Sequence, residues 1–147
     1  MKRQEKYPDT KWFHYHNENP KNRVTTGDCT YRAIAKATGV DWRSTLKRMT
    51  LYACESGYCP NDKLGINGYL KSNGWVMCKQ PKNPDGTRMT GKEFCEHLKK
   101  IKCIGNVIVH IGSKHLTCFV KEDNNYRVYD TWDCTKWRVG NYWIKVK

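Results

Sequence analysis

Between Cys29 and about residue 101, apolar side chains recur mostly every three or four positions; beyond it they gather into short β-branched and aromatic runs. The first pattern predicts helices and the second strands. A first helix opens at Cys29, with Tyr31, Ile34, Ala35 and Thr38 on one face and Gly39 as its stop signal. A second starts at Asp41, a good N-cap, sets Trp42, Leu46, Met49 and Ala53 at i, i+4, i+7 and i+11, and ends near Gly57. A shorter third, capped by Asn61, carries Leu64, Tyr69 and Leu70 to Gly74 and has to tolerate Gly65 and Gly68. After a strand at Trp75 to Lys79 and the turn-rich stretch "QPKNPDGTRM", Thr90 and Glu93 form a capping box. The helix they open runs to about Ile101, with Phe94, His97, Leu98 and Ile101 inward.

The runs "NVIVHIG", "HLTCFVK", "YRVYDTW" and "YWIKV", separated by "GSK", "EDNN" and "TKWRVGN", read as an antiparallel meander. Helices first and strands later is the α+β order. Residues 1–26 are polar, with Pro8, Pro20 and the aromatic knot Trp12–His16, and predict an irregular arm packed on the body. The 147 residues suit a single domain, which can bury about 68–70% of its unfolded surface.

Composition narrows the class. No stretch approaches the roughly 18 apolar residues of a membrane span, and Met1 to Thr10 carries charges where a signal peptide needs an apolar region. The expectation is a cytoplasmic protein whose eight cysteines are free thiols. Cys54 and Cys59 have no second pair at zinc spacing, so no metal site and no cofactor is expected; Cys78, Cys95, Cys103 and Cys118 read as small buried hydrophobes. The 27 Lys and Arg against 14 Asp and Glu leave +13, a field suited to a polyanion or an acidic protein. These basic residues are scattered and form no nucleic-acid motif.

The candidate chemistry lies in a cysteine at a helix N-terminus and a histidine opening a strand. At the positive end of a helix dipole, beside unpaired N–H groups, a thiol is acidified and an oxyanion can be held. Gly27 lets the preceding loop approach closely. A nucleophile needs a base and the base an orienter. His115 follows the Gly112-Ser113-Lys114 turn, and Asp130 ends the next strand. A two-residue loop at Asp123-Asn124 would pair Thr117 with Asp130 and leave His115 its diagonal neighbour on the same face, about 7–8 Å away between Cα atoms. The same parity turns Asp133 the other way, and an odd loop would reverse the choice between the two aspartates. His110 and His97 read as core histidines, and His14 and His16 lack further ligands. Trp132, Trp137, Tyr142 and Trp143 lie near Asp130, where aromatics could shield the imidazole or line a cleft; Trp143 reads as core.

"GDCTYRAIA" is similar to the nucleophile motif of ovarian-tumour (OTU) type deubiquitinases, and it resembles the matching segment of small papain-like cysteine peptidases of bacteriophages and their hosts. "HLTCFVKEDNNYRVYDTWDC" resembles the papain-like histidine strand and the strand after it. The resemblance implies a papain-like α+β fold and a cysteine peptidase or isopeptidase acting on a protein or peptide. Cys29 would be the nucleophile, His115 the base and Asp130 its orienter, with Gly27, Asp28 and Trp132 at the substrate cleft. Two departures stand out: Arg23 occupies the place six before the cysteine where papain-like enzymes carry Gln, and Thr26 stands where OTU enzymes have Asp. Either Asn22 joins the Cys29 N–H in the oxyanion hole, or backbone N–H groups suffice, or the site is dead. An amidase or acyltransferase with the same triad, or a non-catalytic basic binding module on the same scaffold, are the alternatives.

Overall fold

The computed structural model describes residues 2–146. In chain order these form α1 (Arg3–Lys6), β1 (Phe13–Tyr15), α2 (Cys29–Thr38), α3 (Trp42–Ser56), α4 (Lys63–Ser72), β2 (Trp75–Cys78), α5 (Gly91–Lys100), β3 (Val107–Ile111), β4 (His115–Glu122), β5 (Asn125–Asp130) and β6 (Val139–Lys145). The fold is α+β. Its six strands make one sheet in the order β1-β5-β4-β3-β6-β2, antiparallel except where β1 runs parallel to β5.

That sheet departs from the expected meander in two places. Only β3-β4-β5 follow as successive hairpins; β6 returns across the sheet to pair with β3 and then with β2. The reason is at the other edge, where β1 already pairs with β5: Phe13 lies opposite Val128 and Tyr15 opposite Asp130. The segment expected to be an irregular arm therefore contributes a strand. Its Phe13 is fully buried in the core, which explains why an apolar knot interrupts a polar stretch.

Two apolar layers hold the sheet between helices. On one face α5 sets Phe94, Cys95 and Leu98 against Val107, Val109, Phe119 and Val128. On the other, α2, α3 and α4 contribute Ile34, Met49, Ile66 and Leu70 against Ile108, Leu116 and Trp143. Because β3 is covered on both faces, Val107, Ile108 and Val109 are all fully buried, and its sequence shows an unbroken apolar run in place of alternation.

The helix ends follow local chemistry. Asp41 accepts from the Ser44 N–H, the Thr90 and Glu93 box forms, and Gly39 and Gly57 end α2 and α3 in the left-handed conformation. Several inward positions differ from expectation. In α2, Ala33 is buried and Thr38 is exposed, its hydroxyl donating to the Ile34 carbonyl. In α5, Cys95 is inward while Ile101 lies beyond the helix and is exposed. Cys78 and Cys103 are only half-buried.

In α4 the cap falls on Asp62 rather than Asn61, and Leu64 points to solvent while Gly65 and Ile66 face inward. Close approach decides this. A Cβ at Gly65 would lie 2.2 Å from the Cys59 carbonyl oxygen, and one at Gly68 would lie 2.1 Å from the Tyr52 hydroxyl. The glycines that weaken the helical pattern are what let α4 pack. Gly65→Ala, which would favour an isolated helix, is therefore expected to destabilise the protein by about 1–3 kcal/mol, because the obstructing atom is backbone and cannot rotate away. Urea unfolding of the two proteins side by side measures this.

Candidate active site

Cys29 is the first residue of α2 and is half-buried where that helix packs on β4. Its N–H has no intrahelical acceptor. Gly27 holds φ +66 with nothing within 4 Å of a Cβ, so glycine serves here for its backbone conformation and not for close approach. Asp28, expected at the cleft, is buried and turned inward. Its carboxylate accepts from Asn19 Nδ2, Trp42 Nε1 and Arg32 Nε, each at 2.9 Å. Asn19 Oδ1 in turn accepts from the N–H groups of Lys21 and Arg23, which shapes the loop leading to Cys29.

The β4–β5 hairpin has the two-residue loop Asp123-Asn124, with Glu122 opposite Asn125. That register brings His115 Nε2 to 2.5 Å from Asp130 Oδ2. The other carboxylate oxygen accepts from the Thr131 N–H at 2.7 Å and lies 3.4 Å from the Arg32 guanidinium, which also donates to the Thr131 hydroxyl. Arg3 Nε donates to the Thr131 carbonyl, and the His16 N–H to the Asp130 carbonyl. The N-terminal segment thus braces the strand end that presents Asp130.

These contacts set the protonation states. Burial alone would raise the Asp130 carboxyl, but the His115 hydrogen bond and the charges of His115 and Arg32 hold it below its usual value. Burial would lower the His115 imidazole; hydrogen bonding to Asp130, and to the Cys134 and Cys29 thiols, raises it well above the usual range. At Cys29, burial opposes ionisation and is overcome by hydrogen bonding from His115 and the Leu116 N–H, with the charges of His115 and Arg32 adding to it, so its pKa is lowered. Burial pushes the Cys95 and Cys118 thiols the opposite way.

Trp132 leans over the imidazole at 4.9 Å between ring centroids, and Trp137 in turn meets Trp132 edge-on at 5.8 Å. Both lie on the segment between β5 and β6, which is tied to α5: the N–H groups of Gly91 and Lys92 donate to the Trp137 and Thr135 carbonyls. Tyr142 packs on Phe94 in the core, and Trp143 is buried with its Nε1–H donating to Asn67. Asp133 accepts from the Thr135 N–H and hydroxyl and takes no part in orienting His115. His110 is half-buried against Trp143, His97 lies against Phe94, and His14 and His16 pair with Asp9 and Glu18. Asn22 is exposed on its turn at φ +54, and among the described residues no hydrogen bond ties its side chain to Cys29.

Two members of the site went unread in the sequence. Arg32 had a signal, since it stands four residues after Asp28 on a helix. Cys134 had none. It is buried beside the pair, its Sγ 4.0 Å from Asp130 Oδ2, and burial pushes its thiol up to about 11. One ligand-type atom each from His115, Asp130 and Cys134 lies within 4.8 Å of the others, but a cation there would have to displace the His115–Asp130 hydrogen bond.

No protein-family model, curated protein or solved structure matches this chain. No helix among the described residues is long and apolar enough to cross a membrane.

The Asp130 carboxyl contributes stability that is present above its unfolded value of about 3.9 and is lost as pH falls through its lower folded value. Wild-type stability is therefore expected to drop with acidification below about pH 4, and the slope of that drop to shrink in Asp130→Asn. Chemical unfolding between about pH 2 and 6 reads both slopes.

Proposed function

We propose that the protein is a cysteine hydrolase of papain-like type, a peptidase or isopeptidase, with Cys29 as nucleophile, His115 as general base and acid, and Asp130 as orienter. The observation that carries this reading is the His115 Nε2–Asp130 hydrogen bond at 2.5 Å beside a helix-terminal cysteine whose thiol is acidified by the same imidazole.

With Nε2–H given to Asp130, Nδ1 is the ring nitrogen left to exchange a proton with the thiol. Proton transfer to it yields a thiolate–imidazolium pair, and the raised His115 and lowered Cys29 both favour that state. The Cys29 sulfur attacks the substrate carbonyl carbon, and the oxygen takes the negative charge beside the free Cys29 N–H. Collapse expels the amine, which leaves with the proton from His115, and a thioester forms. Water then gives a proton to His115 and its oxygen to the thioester carbon; the acid product departs, and the thiol regains its proton. Trp132 over the imidazole limits water around the ion pair. An amidase or acyltransferase shares every step through the thioester and differs only in the acyl group or the acceptor.

Alkylation by iodoacetamide between about pH 5 and 9, mapped by mass spectrometry, tests the reading. Cys29 is expected to react selectively well below the ordinary thiol pKa of about 8.5, and to lose that low-pH reactivity in His115→Ala. A Cys29 that reacts no faster than the buried thiols overturns it.

A further inference from the structure

We propose that the basic groove beside the turn into His115 is a substrate subsite that accepts an acidic side chain of an extended peptide, so that the substrate class is acidic peptides. This rests on the hydrolase reading. The groove, about 170 Å³, lies on the face of the sheet that carries Trp143, and Lys63, Gln80, Arg88, His110 and Asn141 line it. It also reaches Gly112, two residues ahead of the turn's end at Lys114.

Its position follows from strand order. Leu116, whose N–H faces the Cys29 sulfur, pairs directly with His110 on β3; β6 and β2 come next. At about 4.8 Å per strand, the groove spans roughly 5–15 Å from the strand beside the nucleophile. An extended peptide advances about 3.3 Å per residue, so the second to fourth residues from the reacting carbonyl fall over it.

The chemistry of the lining selects the side chain. No acidic residue lines the groove, and neither Lys63 nor Arg88 has a salt-bridge partner among the described residues. Lys63 heads the ten-residue α4, where the helix dipole adds positive potential. Gln80 accepts from Arg88 at 3.3 Å, which ties together two side chains of the lining. His110, its pKa drawn down to about 4 by burial and by the Lys63 charge, stays neutral and offers a hydrogen bond without adding charge. Two unpaired cations, a neutral imidazole and an exposed Asn141 amide make a place for a carboxylate, with room for a side chain and not for a folded partner.

The test uses two peptidyl acyloxymethyl ketones identical except for Glu or Ala at the third and fourth residues from the ketone. Each reports on Cys29 directly: the thiolate displaces the carboxylate leaving group and forms a thioether. The Glu probe is expected to label wild type roughly tenfold faster at low salt. The advantage should shrink at about 0.5 M salt and disappear in the Lys63→Glu, Arg88→Glu double variant. Both positions are exposed, and an unchanged iodoacetamide rate at Cys29 in the variant shows that the nucleophile is intact. Equal rates for the two probes in wild type, or a Glu preference that survives the double variant, overturn the subsite while leaving the hydrolase reading standing. Protection of Cys29 by a short oligothymidylate without any Glu preference would assign the groove to nucleic acid instead. A Cys29 inert to iodoacetamide removes the hydrolase reading, and the subsite falls with it.

Discussion

The rest of the site depends on one buried anion. Asp130 is almost wholly removed from water, and its charge is matched by His115 on one oxygen and by Arg32 with the Thr131 N–H on the other. An unpaired charge in such a place would cost several kcal/mol, so each partner is held by the penalty of leaving the carboxylate alone. His115 therefore has one favoured orientation. Arg32 carries the same constraint to α2, because its guanidinium spans Asp130 and Asp28. Asp28 immediately precedes Cys29, so a single side chain couples the placement of Cys29 to that of the imidazole's partner.

Contacts of the segment after β5 fix what surrounds the imidazole. The segment after β5 is anchored to the first turn of α5 through backbone hydrogen bonds, which satisfy N–H groups that a helix start would otherwise leave open. Anchored in this way, it places Trp132 on His115 and buries Cys134 beneath the pair. The two thiols nearest the imidazole differ in consequence. Cys29, half-buried beneath the Leu116 N–H at the start of a helix, is acidified; Cys134, fully buried near the Asp130 carboxylate, is driven the other way. Environment, not proximity to histidine alone, separates the acidified thiol from the one driven up.

The fold was legible wherever one local rule was strong. The Gly39 and Gly57 stops, the Asp41 cap and the Thr90–Glu93 box are contacts within a few residues, and they stand where the chain announces them. Local reading failed where a distant partner decides. Phe13 is a strand residue because β5 needs an edge partner 115 positions later in register at Val128. Leu64 yields the inward position to Gly65 because the Cys59 carbonyl leaves no room for a side chain.

Local chemistry set the stops at Gly39 and Gly57, the caps at Asp41 and Thr90 and the helix-terminal position of Cys29, because each follows from periodicity and side-chain chemistry within a few residues; it joined His115 to Asp130 only on condition of an even loop, which the two-residue turn at Asp123-Asn124 meets. Long-range packing set the rest: β6 crosses back to β3, Asp28 turns inward to Arg32, and Cys134 lies beside the His115–Asp130 pair. Those depend on which buried charges and apolar faces meet across the chain. Compensating a buried charge is a property of the assembled interior, which no stretch of sequence carries alone.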